Sequence, residues 1–484
     1  GRRADRSPDA LRLYGLLVAG VSLAALLSPV LLELARAVYV SLGGQLTLGV
    51  LGATLVRLGL SVLVLGVPTV LMGGTLPAAT RSVTTDDDVS RRFVAMLYGL
   101  NTLGAVAGAA LANFLLLETL GSRLCLYLAS AVSLAVGGLA MLVARRLSAA
   151  DDRATPSTAA REGVPAADRS DAADREAVIP PLFVYATAAF VGFVFFLMEL
   201  VWFRMLAPLL GGSTYTFGLI LVIALTGIGL GGYLYAIFFR RHRATLTGLG
   251  LTLGLEALAI GIPFALGDRL AVTTLVLKGL SVFGFPGTVL GWSVIAAIVV
   301  FPAAFVSGVQ FPLLINLLGQ GRREVGKQVG AVAACNTFGA IAGSIAGGFG
   351  LLPALTAPGC WLLCVAVLSV LSLWALHLAR HAYEAARVVV GAVPALGAAL
   401  VLLAPGPTAI WRHTPIGAGR VDLEDYTFAS VRRWQHRARR AITWEAEGIE
   451  TSVAIASSNA HAFIINGKVD GNAVYDAGTQ IMFS

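Results

Sequence analysis

The chain has 484 residues, 57% of them hydrophobic and only 13% charged, with a formal net charge of +8 and a mean hydropathy of +0.81. Soluble domains carry about a quarter charged residues, so this composition excludes an ordinary water-soluble fold and predicts a polytopic membrane protein. Cys125, Cys335, Cys360 and Cys364 all fall in apolar segments, where a thiol acts as a small hydrophobe; Cys360 and Cys364 have no His or acidic residue beside them, and no metal site is expected.

A span needs roughly 20 apolar residues. About eleven such segments are present by that criterion, near 11–33, 50–79, 93–117, 122–146, 182–207, 215–239, 245–267, 285–318, 328–353, 357–380 and 387–405. The expected fold is an all-α polytopic membrane helical bundle with an internal parallel duplication, followed by a small C-terminal β-hairpin segment.

The first half, 1–147, holds "VPTVLMGGTLP" (67–77), which parallels "FPAAFVSGVQFP" (301–312). Pro68 and Pro302 stand 234 positions apart, as do Gly74 and Gly308, and Asn101 precedes Asn336 by 235. Both copies run in the same sense, a transporter-like layout of parallel halves. Behind each Asn comes a string of low bulk: Gly104 and Gly108 in one copy, Gly339, Gly343 and Gly347 in the other. Small residues at every fourth position let helix backbones approach closely in lipid. These glycines are therefore expected to pack helices at the seam between halves, with Asn101 and Asn336 capping a helix or bonding to a neighbour. Lining a substrate path is the alternative role.

Residues 148–181 ("SAADDRATPSTAAREGVPAADRSDAADREAVIPP") are polar and lack an apolar face, which predicts a disordered linker. The second half, 182–380, contains the ionisable groups that matter, because a charge inside a span is costly and marks function by default. "FFLMELVWFRML" places Glu199, Trp202 and Arg204 in one apolar segment, and Glu256 sits alone in "LTLGLEALAIG". Gln310 falls in "SGVQFPLL", where a broken helix would expose backbone to a cavity. The structural alternative is a Glu199–Arg204 pair that only orients its helix, or an Arg204 that snorkels to the interface. "LTGIGLGG" mimics a phosphate loop, but apolar sequence continues on both sides for a full span, so its glycines are read as helix packing.

Arg and Lys crowd alternate loops, at 1–12, 81–92, 145–175, 240–243, 320–327 and 380–387. Positive-inside logic puts these in the cytoplasm of a plasma (inner) membrane. Residues 381–410 are a further membrane helix or connector. If 387–405 crosses, the odd count of spans places everything after 405 outside; if not, the tail returns to the cytoplasm. "VRRWQHRARRAITW" (431–444) carries five Arg and is read as a solvated or headgroup-facing helix, with no nucleic-acid partner expected. Within 411–484, "AITWEAEG", "ETSVAIASS" and "AHAFIINGKVDG" predict short strands joined by turns.

"MELVWFRMLAPLLGGSTYTFGLILVIALTGIGLGG" resembles the membrane segment of the fused transporter-like/spermidine-synthase-like proteins of prokaryotes, with Glu199, Trp202, Arg204, Gly212 and Ser213 in the hallmark positions. "GGTLP…YGLNTLGAVAGA" and "SGVQFP…CNTFGAIAGS" are similar to that family too, and "EGIETSVAIASSNAHAFIINGKVDGNAVYDAGTQ" resembles the small N-terminal sheet of spermidine synthases. The resemblance implies a membrane-anchored aminopropyltransferase-type enzyme, possible self-association through the β domain, and a following domain that binds decarboxylated S-adenosylmethionine. That cofactor site would lie beyond Ser484, so no catalytic residue and no bound cofactor are expected in this stretch. Asp470 stands where the family has a glutamine that contacts the nucleoside substrate. The first half lacks its own Glu–x–x–Trp–x–Arg helix, and the chain is expected to be part of a longer one at both ends.

Three functions compete. One is the transferase. The second is a transporter or binding protein for an amine or other small molecule, in which Glu199, Arg204, Glu256 and Gln310 line a cavity. The third is a scaffold whose polar groups only orient helices.

Overall fold

The computed structural model describes residues 2–84, 91–153, 180–239, 244–319, 324–379, 384–421, 423, 427–457 and 461–483. The helices in chain order are α1 (Arg2–Arg6), α2 (Ala10–Ser41), α3 (Gly44–Val83), α4 (Arg92–Leu111), α5 (Leu117–Arg153), α6 (Pro181–Leu210), α7 (Thr214–Phe238), α8 (Leu246–Leu266), α9 (Asp268–Leu277), α10 (Gly284–Leu317), α11 (Val325–Ala346), α12 (Leu352–Leu378), α13 (Glu384–Leu403), α14 (Ala409–His413) and α15 (Phe428–Ala441). Four strands follow, β1 (Ile442–Glu447), β2 (Ser452–Ala456), β3 (Ala462–Ile465) and β4 (Lys468–Asn472), and then α16 (Ala477–Phe483).

Among the described residues, eight helical stretches are long and apolar enough to cross a membrane. The chain is thus a multi-pass membrane protein by composition and length. Two of these stretches hold two legs each. Arg92–Ser148 is 57 residues long, about 85 Å if straight, against a bilayer core of about 30 Å. It breaks at Gly121, whose φ of 72° and ψ of 171° leave the helical region. Val325–Leu378 breaks likewise at Thr356, at φ 64° and ψ 168°. The apolar segments expected from sequence near 93–117 and 122–146, and near 328–353 and 357–380, are these paired legs.

The chain divides into two compact units. Unit 1 comprises Gly1–Val94, Leu116–Pro180 and Gly319–Ala333. Its centre is α2, which packs on α3 and α5. A Cβ on Gly15 would sit 2.7 Å from the Gly137 carbonyl oxygen, so α2 and α5 meet backbone to backbone. Asp5 in α1 accepts hydrogen bonds from the Gly326 and Lys327 amides at 2.9 and 2.7 Å, which satisfies open donors in the first turn of α11. The expected linker 148–181 starts inside α5, which is helical to Arg153; residues 154–179 lie outside the described residues.

Unit 2 comprises Ala95–Leu115, Pro181–Leu318 and Ala334–Ser484. Its helices are far better buried than those of unit 1: 56% of the apolar window of α6 is buried, against 6% in α3. The core is α7 on α10, α8 on α10, α12 and α13, and α12 on α6. The glycines of "LTGIGLGG" do pack helices. A Cβ on Gly231 would collide with the Phe305 carbonyl and one on Gly308 with the Ile228 carbonyl, which brings α7 and α10 into backbone contact. α13 runs beside α8 in the same direction, with Gly250 against Val390, Gly254 against Pro394, Gly261 against Gly397 and Gly267 against Gly406. It follows α8 over its whole length.

The glycine strings behave differently in the two copies. A Cβ on Gly339 or Gly343 would run into the carbonyl oxygens of Ala189 and Phe193, and one on Gly347 would meet Leu197. These three glycines clamp α6. At Gly104 and Gly108, by contrast, no described atom lies within 4 Å of where a Cβ would be. The contact expected there is corrected: missing bulk permits a close approach without supplying the partner. α10 is also helical through Pro302 and Pro312, so Gln310 does not lie in a broken segment as expected.

The tail forms a four-stranded antiparallel sheet in the order β1-β2-β3-β4. Asn466 and Gly467, at φ 48° and 77°, make the tight turn between β3 and β4, a geometry that favours Asn-Gly.

Candidate functional site

The site is built on α6. Its first 18 residues carry no charge, and the helix ends at Gly211 and Gly212, whose φ values of 91° and 61° turn the chain back. Ser213 then caps α7 in a reciprocal capping box with Thr216. Glu199 lies well inside the apolar length of α6 and faces a cavity of about 230 Å³ within unit 2. The cavity walls are aromatic and aliphatic: Tyr98 from α4, Phe195 and Phe196 from α6, Leu221, Leu225 and Ile228 from α7, and Phe311 from α10. Thr102, Ser307 and Asn336 add neutral polar groups. Tyr98 stacks on Phe311 with ring centroids 4.5 Å apart. Asn336 donates to the Ala188 carbonyl at 3.2 Å, which bonds α11 to α6 at the cavity edge. Asn101, its counterpart in the first copy, is exposed.

The carboxylate of Glu199 has no hydrogen-bond or ion-pair partner among the described residues, and it is the only acidic or basic side chain lining the cavity. The expected partner, Arg204, points elsewhere. Five residues turn about 140° around an α-helix, so Arg204 leaves the Glu199 face. Its guanidinium pairs with Glu447 at 2.9 Å and donates to the Gly448 and Ile449 carbonyls at 3.1 and 2.9 Å. Trp202, between them, is buried edge-on against Phe195, and its indole N–H has no partner among the described residues.

Arg204 is one member of a clasp that ties the C-terminal module to the ends of α6 and α8. Arg412 bonds Glu445 at 2.9 Å and Glu447 at 3.0 Å, and His413 Nε2 lies 2.9 Å from Glu445. Strand geometry puts Glu445 and Glu447 on one face of β1. The His413 hydrogen bond holds the Glu445 carboxyl below the usual carboxylate range, against the opposing effect of burial and with help from the Arg412 charge. Asp268, the first residue of α9, just past the end of α8, accepts from Thr408 at 2.6 Å and from Arg439 at 2.8 Å. Trp411 donates its indole N–H to the Met205 carbonyl at 2.6 Å.

Glu256 and Gln310, expected to line the same cavity as Glu199, do not. They pair with each other: the Gln310 amide donates to Glu256 at 2.8 Å between α8 and α10, and both are buried. Asp470 is exposed on β4. Four of the residues expected to bind substrate thus fall into three places: Glu199 in the cavity, Arg204 in the clasp, and Glu256 with Gln310 in a separate buried pair. Among the described residues no cluster of three or more His, Cys, Asp or Glu is arranged to hold a metal.

Sequence reasoning missed Tyr98, Ser307 and Phe311, which carry no charge and look like any other residue of an apolar segment. It also missed Glu445, Glu447, Arg412 and His413. For the two glutamates a signal was present, because "WEAE" repeats an acid with the period of a strand.

Known protein-family models do not match the chain, and comparison with curated proteins also finds no match. Fold and site together define a multi-pass membrane protein with a C-terminal four-stranded antiparallel sheet and an aromatic-walled cavity that holds a carboxylate.

Proposed function

We propose that the chain is a membrane carrier or binding protein for a small organic cation, taken into the Glu199 cavity of unit 2. One observation supports this most: a carboxylate well inside an apolar helix, facing an open volume, with no cation or donor among the described residues to satisfy it. A charged side chain at the centre of a span costs about 2.5–3.5 kcal/mol even on the mildest scale. A bound ammonium would offset that cost, and a purely orienting Glu would be expected to find a protein partner, as Glu256 does with Gln310.

Purified full chain in lipid nanodiscs should bind benzylamine saturably by calorimetry, and Glu199→Gln should weaken binding at least about ten-fold, the loss of one charge-assisted contact. Equal affinity in both proteins sinks the proposal.

A second reading, an aminopropyltransferase-like enzyme, is favoured by the four-stranded antiparallel sheet, which stands where the resemblance expects the small sheet of spermidine synthases. The same preparation, given decarboxylated S-adenosylmethionine and putrescine, would form spermidine if this chain carried the transfer; no product removes catalysis from it.

A further inference from the structure

We infer that the cavity selects a ligand with a single positive charge and a flat apolar body, an aryl-alkyl monoamine, and discriminates against diamines and polyamines. This deepens the proposed function and rests on it.

Charge count decides first. Among the described residues Glu199 is the only acidic or basic side chain on the cavity wall, so one ammonium can be neutralised. The other carboxyl buried among these helices, Glu256, is bonded to Gln310 and does not line the cavity. A second ammonium on a short alkyl chain would have to settle among Phe196, Phe311 and Leu221 without a counter-ion. Ring faces attract a cation, but they do not replace the hydration of a whole charge removed from water.

Volume and wall chemistry decide the rest. An apolar protein cavity of about 150 Å³ accepts a benzene ring. The cavity of about 230 Å³ leaves room beyond that for a one- or two-carbon aminoalkyl tail. The Tyr98–Phe311 stack presents an aromatic surface on which a ring can lie. The Ser307 hydroxyl and the Asn336 side chain line the same wall and offer neutral acceptors for the ammonium protons that Glu199 does not take.

The test uses the full chain in nanodiscs with four probes at equal ionic strength: benzylamine, benzyl alcohol, putrescine and spermidine. The inference expects benzylamine to bind at least ten-fold more tightly than each of the other three. It also expects Phe311→Leu, which keeps the charge but removes the ring, to weaken benzylamine about 5-fold. If putrescine or spermidine binds more tightly than benzylamine and loses that affinity in Glu199→Gln, the monoamine assignment is overturned while the cation-binding function stands. If benzyl alcohol matches benzylamine, the cavity is merely apolar, and both fall. If no probe binds, both fall as well.

Discussion

Glu199 and Arg204 show how far a single residue's role follows from its neighbours. Both stand out in an apolar helix, and that signal is physical, since lipid penalises each of them. What they bind depends on helical phase and on a strand more than 200 residues away, which no local pattern contains. Tyr98, Ser307 and Phe311 were invisible for the opposite reason: none of them costs anything in an apolar segment. At this scale the clasp makes a pH prediction. The folded-state pKa of Glu445 is lowered, by His413 first, so its contribution is present above the ordinary carboxylate pKa of about 4.3 and is lost as pH falls through the lower, folded value. Hydrogen exchange of the β1 and β2 amides should therefore stay slow from pH 7 to pH 5 and rise only below about pH 4, and Glu445→Gln should remove that acid step. Release already complete at pH 5 would contradict the assignment and point to another group.

Helices and strands were the most legible level. Each of the roughly eleven apolar segments corresponds to a helix, and the strand-like tail became a sheet, because hydrophobic length and period-two alternation are local properties. Breaks inside long helices were less legible. Gly121 and Thr356 end legs that read as neighbouring spans, while the segment around Gln310, expected to be broken, is continuous helix that accommodates Pro302 and Pro312. The 234-residue register supports a proposal of duplication, but it says nothing about what each glycine meets. A direct comparison follows. Gly343→Leu would force bulk against the Phe193 backbone, an overpacking that costs about 1–3 kcal/mol and should lower the melting temperature by roughly 3–10 °C. Gly108→Leu, which meets open space, should stay within about 2 °C of the parent. Thermal unfolding in detergent reads both, and the reverse order would mean the two contacts have been assigned the wrong way round.

For the molecule as a whole, the crossing of α13 was the question composition left open. Its run beside α8, from Val390 to Gly406, carries the chain through unit 2 and delivers the tail to the ends of α6 and α8. The Glu199 cavity of unit 2 carries the proposed function. An electron cryomicroscopy map of the full chain in nanodiscs, saturated with 4-bromobenzylamine, tests it most directly. The account predicts density inside the cavity, with the ammonium within hydrogen-bond distance of Glu199 and the bromine-bearing ring against Phe311. An empty cavity at saturation, or density confined to other parts of the protein, would contradict it.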